Sequence, residues 1–465
     1  MHGAAEPFDA IIVGAGQAGP PLAGRLTAAG MRVVLIERKL VGGTCVNTGC
    51  MPTKTLVASA YAAHLARRGA AFGVRTGDVS IDMPAVAARA RAVVTDARSG
   101  NEHRLEAMAG LTFLRGHARF TGLRTIAVGD RILTAPRIFL NVGGRARVPD
   151  MPGVGDVRHL DNTDMVALEA VPAHLVVVGG SYVGLEFAQM YRRFGAAVTV
   201  VERGERLIAH EDPDVSQAVR AVLEDEGIAV RTGANCIAFA AHETGVAVSV
   251  DCGTGDPVVV GSHVLLAVGR RPNTDDLGLD LAGIATDAKG YVVVDDMLQT
   301  NLPGVWALGD CNGRGAFTHT AYNDYEIVAA NLLDHGERTL RQRLPGYALY
   351  IDPPLGRVGM TQTEAEATGR PILVSTRPMT KVGRAVEKGE TKGFMKIVAD
   401  AATQRILGAA ILGVGGDEAI HGILDMMHAD QPVSALRWAV PIHPTVSELI
   451  PTLLLDLAPP ACADE

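Results

Sequence analysis

Continuous apolar runs that end in glycine turns organise the first two hundred residues of this chain. Residues 8–16 are apolar from position 10 and run into glycines, a helix-like segment follows to Ala29, and residues 33–36 are apolar again. Unbroken apolar runs are typical of strands that are buried on both faces of a parallel sheet. The pattern predicts a strand, a glycine turn, a helix and a second strand.

The glycine turn has the spacing of a dinucleotide-binding motif. It carries Gly14, Gly16 and Gly19, and Glu37 follows the second strand 23 positions after the first glycine. The first glycine permits the tight turn, the second lets the backbone approach a pyrophosphate, and the third lets helix and strand pack closely. We expect the pyrophosphate at the helix N-terminus and Glu37 on the ribose hydroxyls.

The same unit occurs a second time. Residues 175–178 are apolar and lead into Gly179 and Gly184, and Glu202 again lies 23 positions after the first glycine. Ser181 stands where the middle glycine belongs, so a pyrophosphate would approach this turn less closely. The repeat predicts two Rossmann units and two bound dinucleotides.

The remaining segments return the chain to the first unit and then leave it. Residues 60–110 have a helical pattern with a turn at 69–77, and short β-like stretches follow. A strand is predicted at 264–273, and another at 300–310 ends in Gly309 and Asp310. An acid at the carboxyl end of such a strand lies where open α/β sheets bind ligands, although a turn residue or a helix cap is the alternative for Asp310.

From about residue 344 the chain changes to shorter β-rich and helical pieces, which predict a further domain. The expected fold class is α/β, with two Rossmann-type dinucleotide-binding domains and an α+β C-terminal domain. The expected bounds are 1–150 and 271–343 for the first nucleotide domain, 151–270 for the second, and 344–465 for the last.

Two cysteines are candidates for redox chemistry. Cys45 and Cys50 lie among glycines, and a helical pattern begins just after them. An ideal helix would splay thiols at this spacing, so Gly49 must distort the backbone if the sulfurs are to meet. Cys50 then lies near a helix N-terminus, which favours a thiolate, and Lys54 adds positive charge one turn on. Two buried thiols or a structural bridge remain the alternatives.

Composition narrows the class of protein. The chain has 465 residues, 48% apolar and 20% charged, which is ordinary for a soluble globular protein. The net charge of −8 argues against nucleic acid and anionic membranes as partners. With no apolar run of membrane-spanning length and no signal peptide pattern, we expect a cytoplasmic protein that does not bind membranes. Six cysteines in so long a chain do not form a disulfide framework, and no metal site is predicted.

These motifs together resemble the class I flavoprotein disulfide reductases, a family that includes dihydrolipoamide dehydrogenase, glutathione reductase and mercuric reductase. The resemblance covers about residues 8–455. It is carried by the Cys45–Lys54 stretch, the two glycine turns, the Gly309–Asp310 strand and the segment 442–448, which contains His443 and Glu448. It implies a homodimer in which the histidine of one subunit completes the active site of the other.

The resemblance also implies a role for each candidate residue. FAD would bind the first unit, with Asp310 on its ribityl chain, and the nicotinamide cofactor would bind the second. Cys50 would face the flavin, Cys45 would meet the substrate, and His443 with Glu448 would protonate the leaving thiolate. The remaining implied contacts are an ion pair of Lys54 with Glu186 near the flavin, and cofactor contacts from Gly43, Thr44, Lys54 and Gly269.

The acceptor is less well defined by the sequence. A disulfide and a thiol-bound metal ion are both expected classes of small substrate, in the manner of the mercuric-reductase-like branch. The tail carries one cysteine, Cys462, where mercuric reductases have a pair, and we expect no separate N-terminal metal-binding domain with a CxxC. Pro441 replaces a histidine that is usual in dihydrolipoamide dehydrogenases. The alternatives are dihydrolipoamide dehydrogenase, a flavoprotein NADH oxidase or diaphorase with an idle cysteine pair, and a non-enzymatic FAD-binding subunit.

The second acidic strand end bears on the choice of nucleotide. Glu202 would accept hydrogen bonds from both ribose hydroxyls and repel a 2′-phosphate. Arg203 and Arg206 lie just beyond Glu202 and could bind a 2′-phosphate, which would favour NADPH. We predict NADH as the cofactor, with NADPH as the alternative.

Overall fold

A computed structural model describes residues 5–251 and 255–460 of the chain, so Cys462 lies outside the described residues. The fold is α/β, as predicted from the sequence. Within the described residues, no helix is both long enough and apolar enough to cross a membrane.

The first glycine turn belongs to a five-stranded parallel sheet. Its strands, in spatial order, are Val305–Ala307, Arg137–Leu140, Ala10–Val13, Val33–Glu37 and Leu111–Arg115. Their apolar side chains are buried on both faces of the sheet, which explains the continuous apolar runs. The strand predicted at 300–310 is shorter than expected because Pro303 and Gly304, with φ of +83°, form a turn before it.

The second glycine turn belongs to a four-stranded parallel sheet of the same design. Its strands are Ala229–Arg231, Ala197–Val201, His174–Val178 and His263–Leu266. The strand predicted at 264–273 is two strands, because Gly269 has a φ of +103° and redirects the chain. The second of them, Arg270–Pro272, pairs with Gly144–Ala146 and so connects the two nucleotide units.

Two smaller sheets flank these units. One is formed by Glu6–Pro7, Arg131–Thr134, Thr125–Val128 and Ala118–Gly122, and the other by Ala238–His242, Gly245–Ser249 and Val258–Gly261. The C-terminal part is an antiparallel sheet of five strands, in the order Gly346–Leu349, Leu355–Gly359, Ile406–Leu412, Phe394–Asp400 and Ile372–Pro378. The domain bounds given above remain predictions.

The helices cover the sheets and carry the site. They are Gly19–Ala28, Gly43–Asn47, Cys50–Arg67, Met83–Glu106, Asn162–Ala167, Tyr182–Phe194, Pro213–Asp225, Thr318–Leu333, Gln362–Ala367, Gly383–Glu387, Gly416–His428, Val433–Arg437 and Ile450–Leu455. The helix Cys50–Arg67 packs against Tyr182–Phe194, so the cysteine segment of the first unit contacts the helix that follows the second glycine turn.

Candidate active site

The two cysteines lie on separate helices that meet at a sharp bend. Cys45 is in the short helix Gly43–Asn47, and Cys50 is the first residue of the helix Cys50–Arg67. Gly49, at the bend, has φ of −127° and ψ of −117°, and a Cβ there would lie 2.9 Å from the carbonyl oxygen of Thr44. The bend lets the two free thiols share a hydrogen bond.

The shared hydrogen bond shifts the pKa values of the two thiols in opposite directions. The Cys45 thiol donates to Cys50, and this donation lowers the pKa of Cys50 to about 6, although burial of Cys50 opposes the shift. The same bond, together with burial, raises the pKa of Cys45. Near neutral pH the pair therefore holds one negative charge, and that charge lies on Cys50.

Thr318 is a contact of Cys50 that the sequence analysis missed. Its Oγ1 lies 3.3 Å from the Cys50 Sγ, at the start of the helix Thr318–Leu333. The hydroxyl and the Lys54 ammonium both lower the pKa of Cys50 further. Threonine at a helix start is common, and 268 positions separate it from Cys50, so no local signal marks it.

Lys54 and Glu186 form an ion pair beside the cysteines. The Lys54 Nζ lies 2.7 Å from the Glu186 Oε2 and 4.5 Å from the centre of the Tyr350 ring. The other Glu186 oxygen accepts from the Tyr350 backbone N–H at 3.0 Å, so this buried carboxylate is well satisfied. The structure thus brings together the two residues that the resemblance paired, and Tyr350 is an addition.

The first glycine turn leaves no room for larger side chains. A Cβ on Gly14 would lie 2.2 Å from the Asn141 carbonyl oxygen, and one on Gly16 would lie 2.8 Å from the Asn141 Oδ1. A Cβ on Gly43 would come within 3.1 Å of the Gly16 Cα, so the cysteine segment passes closely over the turn. At the strand end, Glu37 accepts hydrogen bonds from the backbone N–H groups of Ala15 and Lys39.

The second turn repeats this geometry in detail. Glu202 accepts from the N–H groups of Gly180 and Gly204, at 2.6 and 2.7 Å. A Cβ on Gly179 would lie 2.4 Å from the Ala267 carbonyl oxygen, just as a Cβ on Gly14 would lie too close to the Asn141 carbonyl oxygen in the first turn. Ala267 has no amide side chain, and this explains why Ser181 is tolerated where the first unit requires Gly16.

The third glycine of each turn packs its helix against its strand. A Cβ on Gly19 would lie 2.3 Å from the Gly14 carbonyl oxygen, and a Cβ on Gly184 would lie 2.2 Å from that of Gly179. Both turns therefore have the tight geometry that cradles a pyrophosphate at a helix N-terminus. The residues present fit one dinucleotide in each unit.

Asp310 faces a cavity of about 170 Å³ that is lined also by Gly144, Arg270, Tyr291 and Gly313. Its Oδ2 lies 3.5 Å from the Arg270 Nε, and burial raises the pKa of its carboxyl although Arg270 opposes the shift. Arg270 also donates to Thr44 at 3.4 Å. Arg270 thus contacts both Asp310 and Thr44, and it is a second residue that the sequence analysis missed.

His443 and Glu448 form a pair away from the cysteines of the same chain. The His443 Nδ1 lies 2.9 Å from the Glu448 Oε2, and the His443 side chain is 79% exposed. In the part of the chain that the structure describes, no hydrogen bond or ion pair joins His443 to Cys45 or Cys50. No cluster of three or more metal-binding side chains occurs among those residues either.

The fold and the site define a class of enzyme with two dinucleotide units and a polarised dithiol between them. Comparison with known families agrees, because residues 8–324 match the pyridine nucleotide-disulphide oxidoreductase family and residues 346–454 match its dimerisation domain. This chain belongs to the pyridine nucleotide-disulphide oxidoreductase family. It is an enzyme that uses FAD and NAD(P)H, as predicted.

Three curated relatives illustrate the range of the family. The probable pyridine nucleotide-disulfide oxidoreductase RclA of Escherichia coli is 35% identical over 450 residues, covering 95% of this chain and 97% of that protein. The dihydrolipoyl dehydrogenase of Chlamydia pneumoniae is 32% identical, covering 96% and 95%. The mercuric reductase of Bacillus cereus is 29% identical, covering 95% and 70%.

A solved structure of the first relative has the same fold as this chain. It is the Cu(II) complex of the HOCl-induced flavoprotein disulfide reductase RclA from Escherichia coli. It superimposes with a TM-score of 0.88 at 34% identity and covers 97% of this chain and 99% of that one.

Proposed function

We propose that this protein takes a hydride equivalent from NAD(P)H and delivers two electrons to the Cys45–Cys50 pair. The reduced pair then reduces a small disulfide or a thiol-bound metal ion. The observation that carries the proposal is the polarised dithiol, in which Cys50 has a low pKa and Cys45 retains its proton. An idle or structural pair has no need of this asymmetry, because only the thiolate is a nucleophile.

The nucleotide sites follow from the two glycine turns. Gly14, Gly16 and Gly19 would hold the FAD pyrophosphate, and Glu37 its adenosine ribose. Gly43 lies against the first turn and Asp310 lines the cavity that Arg270 also lines. With Thr44, these residues would add further contacts to FAD. The bound flavin would supply two-electron transfer between the nicotinamide and the disulfide. Gly179, Ser181, Gly184, Glu202 and Gly269 would serve the nicotinamide cofactor.

The side chains around Cys50 control where the proton and the charge lie. When the disulfide is reduced, Cys50 stays a thiolate, stabilised by the hydrogen bond from Cys45, by Thr318 and by Lys54. Glu186 fixes the Lys54 ammonium in place at 2.7 Å. Cys45 keeps its proton until an acceptor approaches, and the proton then passes to the acid–base histidine proposed below. The Cys45 thiolate attacks the disulfide, forms a mixed disulfide and expels one thiolate, which takes up that proton; alternatively, the thiolate binds the metal ion. The Cys50 thiolate then displaces the second thiol and restores the Cys45–Cys50 disulfide.

A second copy of the chain completes the site in this proposal. His443 is exposed beside apolar side chains that are exposed as well, namely Trp438 at 79%, Val440 at 96% and Ile442 at 80%. Such a patch on the dimerisation domain indicates a covered surface rather than a free one. We propose a homodimer in which His443, oriented by Glu448, faces Cys45 of the partner subunit and protonates the leaving thiolate.

A side-by-side turnover assay with lipoamide, glutathione disulfide, Hg(II) and Cu(II) tests the proposal. We expect NAD(P)H oxidation with at least one of them, and loss of that activity in the Cys45→Ala variant. The Cu(II) complex of the relative from Escherichia coli motivates that arm, and the two other relatives motivate lipoamide and Hg(II). Ferricyanide, which accepts electrons without a dithiol, is the control. Equal turnover by Cys45→Ala with every acceptor would support the diaphorase alternative instead.

A further inference from the structure

A fully buried ion cluster joins the loop after Glu202 to the C-terminal sheet. The Glu211 side chain is 0% exposed and that of Arg357, on the strand Leu355–Gly359, is 2% exposed. The Arg357 Nε donates to both Glu211 oxygens, at 3.3 and 3.0 Å, and its Nη2 donates to one of them as well. The Tyr347 hydroxyl donates to the same carboxylate.

The neighbouring Asp212 is held in the same way. The Lys396 Nζ lies 3.2 Å from the Asp212 Oδ2, and both side chains are almost fully buried. The backbone N–H groups of Gln362 and Thr363 each donate to this carboxylate at 3.0 Å. Two successive acids of the second nucleotide unit are therefore fixed by two cations and a helix start of the C-terminal part.

Stability alone is a weak explanation for this cluster. Removing two carboxylates and two cations from water is costly, and well-packed apolar side chains often stabilise a fold equally well. A buried network that is fully satisfied does, however, hold its members in one geometry. The cluster is therefore best understood by what Glu211 and Asp212 hold in place.

They hold a loop that contacts the second glycine turn. The Ile208 N–H donates to the Gly180 carbonyl oxygen at 2.8 Å, and Ile208 is buried with a φ of +40°. A β-branched residue with positive φ is strained and persists only where its surroundings enforce that conformation. Glu211 is joined directly to this residue, because its backbone N–H donates to the Ile208 carbonyl oxygen at 2.8 Å.

A second connection runs from Glu211 to the same turn through aromatic side chains. Tyr182, the first residue of the helix after the turn, contacts the Tyr347 ring at a centroid distance of 5.1 Å and shares a hydrogen bond with its hydroxyl. Tyr182 also contacts Phe317 at 6.1 Å, and Phe317 precedes the Thr318 that contacts Cys50. Glu211 thus reaches both sides of the turn, at Gly180 and at Tyr182.

We infer that Glu211 is a positioning residue for the nicotinamide cofactor, since with Arg357 and Tyr347 it fixes the loop and the tyrosine that border the second glycine turn. The inference rests on the proposed placement of the nicotinamide cofactor at that turn. A turn that is fixed before the nucleotide arrives loses less conformational freedom on binding. Glu211 itself does not touch the nucleotide in this account.

The test is the FAD-loaded Glu211→Gln variant, which keeps the side-chain size and removes the charge. Titration calorimetry measures the Kd of NAD⁺ and NADP⁺ without any acceptor, so the result does not depend on turnover. We expect the Kd of the preferred nucleotide to rise roughly tenfold. The KM for the reduced nucleotide rises in parallel, while kcat at saturating nucleotide stays within about twofold of the wild type, because the cysteine pair is unaffected.

A second buried ion pair supplies the matched control. Arg193, in the helix Tyr182–Phe194, lies 2.7 Å from Glu226 and 2.8 Å from Asp352, and so joins the same two parts of the molecule. Glu226→Gln should lower the thermal stability comparably and leave the nucleotide Kd unchanged. If Glu226→Gln weakens nucleotide binding as much as Glu211→Gln does, the effect is general loosening and the inference is overturned.

Two further variants distinguish failure of this inference from failure of the proposed nucleotide site. Tyr347→Phe removes only the hydroxyl, so it serves if Glu211→Gln does not fold, and it should raise the Kd by a smaller factor. Glu202→Ala tests the placement of the nucleotide itself. An altered NAD⁺/NADP⁺ preference in Glu202→Ala, with unchanged Kd values in Glu211→Gln and Tyr347→Phe, overturns the inference alone. No effect in any of these variants overturns both the inference and the proposed nucleotide site.

Discussion

The Lys54 ammonium lies 2.7 Å from the Glu186 carboxylate and joins the helix that begins at Cys50 to the helix that follows the second glycine turn. Glu186 is 4% exposed, and its two carboxylate oxygens are paired with Lys54 and with the Tyr350 backbone N–H. The ion pair holds a positive charge near the thiolate of Cys50. It also forms a fixed contact between the two nucleotide units. Removing either partner should therefore affect both stability and thiol acidity.

We predict that Lys54→Met destabilises the protein by about 1–3 kcal/mol, because it leaves the Glu186 carboxylate buried without a cation. Thermal unfolding of the FAD-loaded enzyme measures the loss. The double variant Lys54→Met/Glu186→Gln should recover part of the stability, since the unpaired charge is gone. An unchanged Tm in Lys54→Met would contradict this account of the pair.

The acidity of Cys50 gives a pH-dependent prediction. Its pKa of about 6 means that the thiolate is present above pH 6 and is lost as the pH falls through that value. Thr318→Val removes one hydrogen bond to the sulfur and should raise this pKa by roughly half to one unit. Alkylation rates of the reduced enzyme between pH 4 and 9 measure the shift.

Thr55→Val is a matched control for Thr318→Val. The Thr55 hydroxyl donates to the Met51 carbonyl oxygen at 2.7 Å in the same helix as Cys50 and does not contact the sulfur. The alkylation profile of Thr55→Val should match the wild type. If both variants shift the profile equally, the hydrogen bond from Thr318 does not set the acidity of Cys50.

His443 should act in the second half of the reaction only. We expect His443→Ala to slow reduction of a disulfide by roughly a hundredfold or more, as for the loss of a positioned acid–base group, and to leave flavin reduction nearly unchanged. Stopped-flow measurement of each half-reaction separates the two effects. Glu448→Gln should have a smaller effect in the same half-reaction, because Glu448 only orients the His443 ring. Equal slowing of both halves by His443→Ala would indicate a folding or dimer defect instead.

Glu202 should make the enzyme prefer NADH. Its carboxylate is held by the N–H groups of Gly180 and Gly204, which leaves its remaining lone pairs for ribose hydroxyls. A 2′-phosphate would meet this charge at close range. The ratio of kcat/KM for NADH and NADPH measures the preference, and Glu202→Ala should reduce it. A wild-type preference for NADPH that persists in Glu202→Ala would assign the specificity to Arg203 or Arg206.

The sequence predicted those parts of the fold and site that depend on local spacing. The glycine turns, the acidic strand ends and the bend at Gly49 follow from residues within about 25 positions of one another, and the structure contains each of them. The sequence also marked Ser181 as a departure. Its cause is Ala267, which stands in place of an amide side chain. Ala267 lies just after the distant strand His263–Leu266, so this cause became apparent only in the structure.

The contacts that the sequence did not predict are those between distant segments. Thr318 meets Cys50 across 268 positions and Arg357 meets Glu211 across 146, and neither residue belongs to a motif with a fixed spacing. The strand before Asp310 is shorter than the sequence predicts, because Pro303 and Gly304 form a turn just before Val305. These features depend on tertiary contacts, and such contacts leave no periodic pattern in the sequence.

Anaerobic titration of the FAD-loaded enzyme with NADH tests the central claim that electrons pass to the Cys45–Cys50 pair. After the first equivalent, we predict a long-wavelength thiolate–flavin charge-transfer band while the main flavin absorption persists, because the electrons then reside on the dithiol. The band should be absent in Cys50→Ser and present without reductant in Cys45→Ala. Bleaching of the flavin by the first equivalent, with no such band, would contradict the claim.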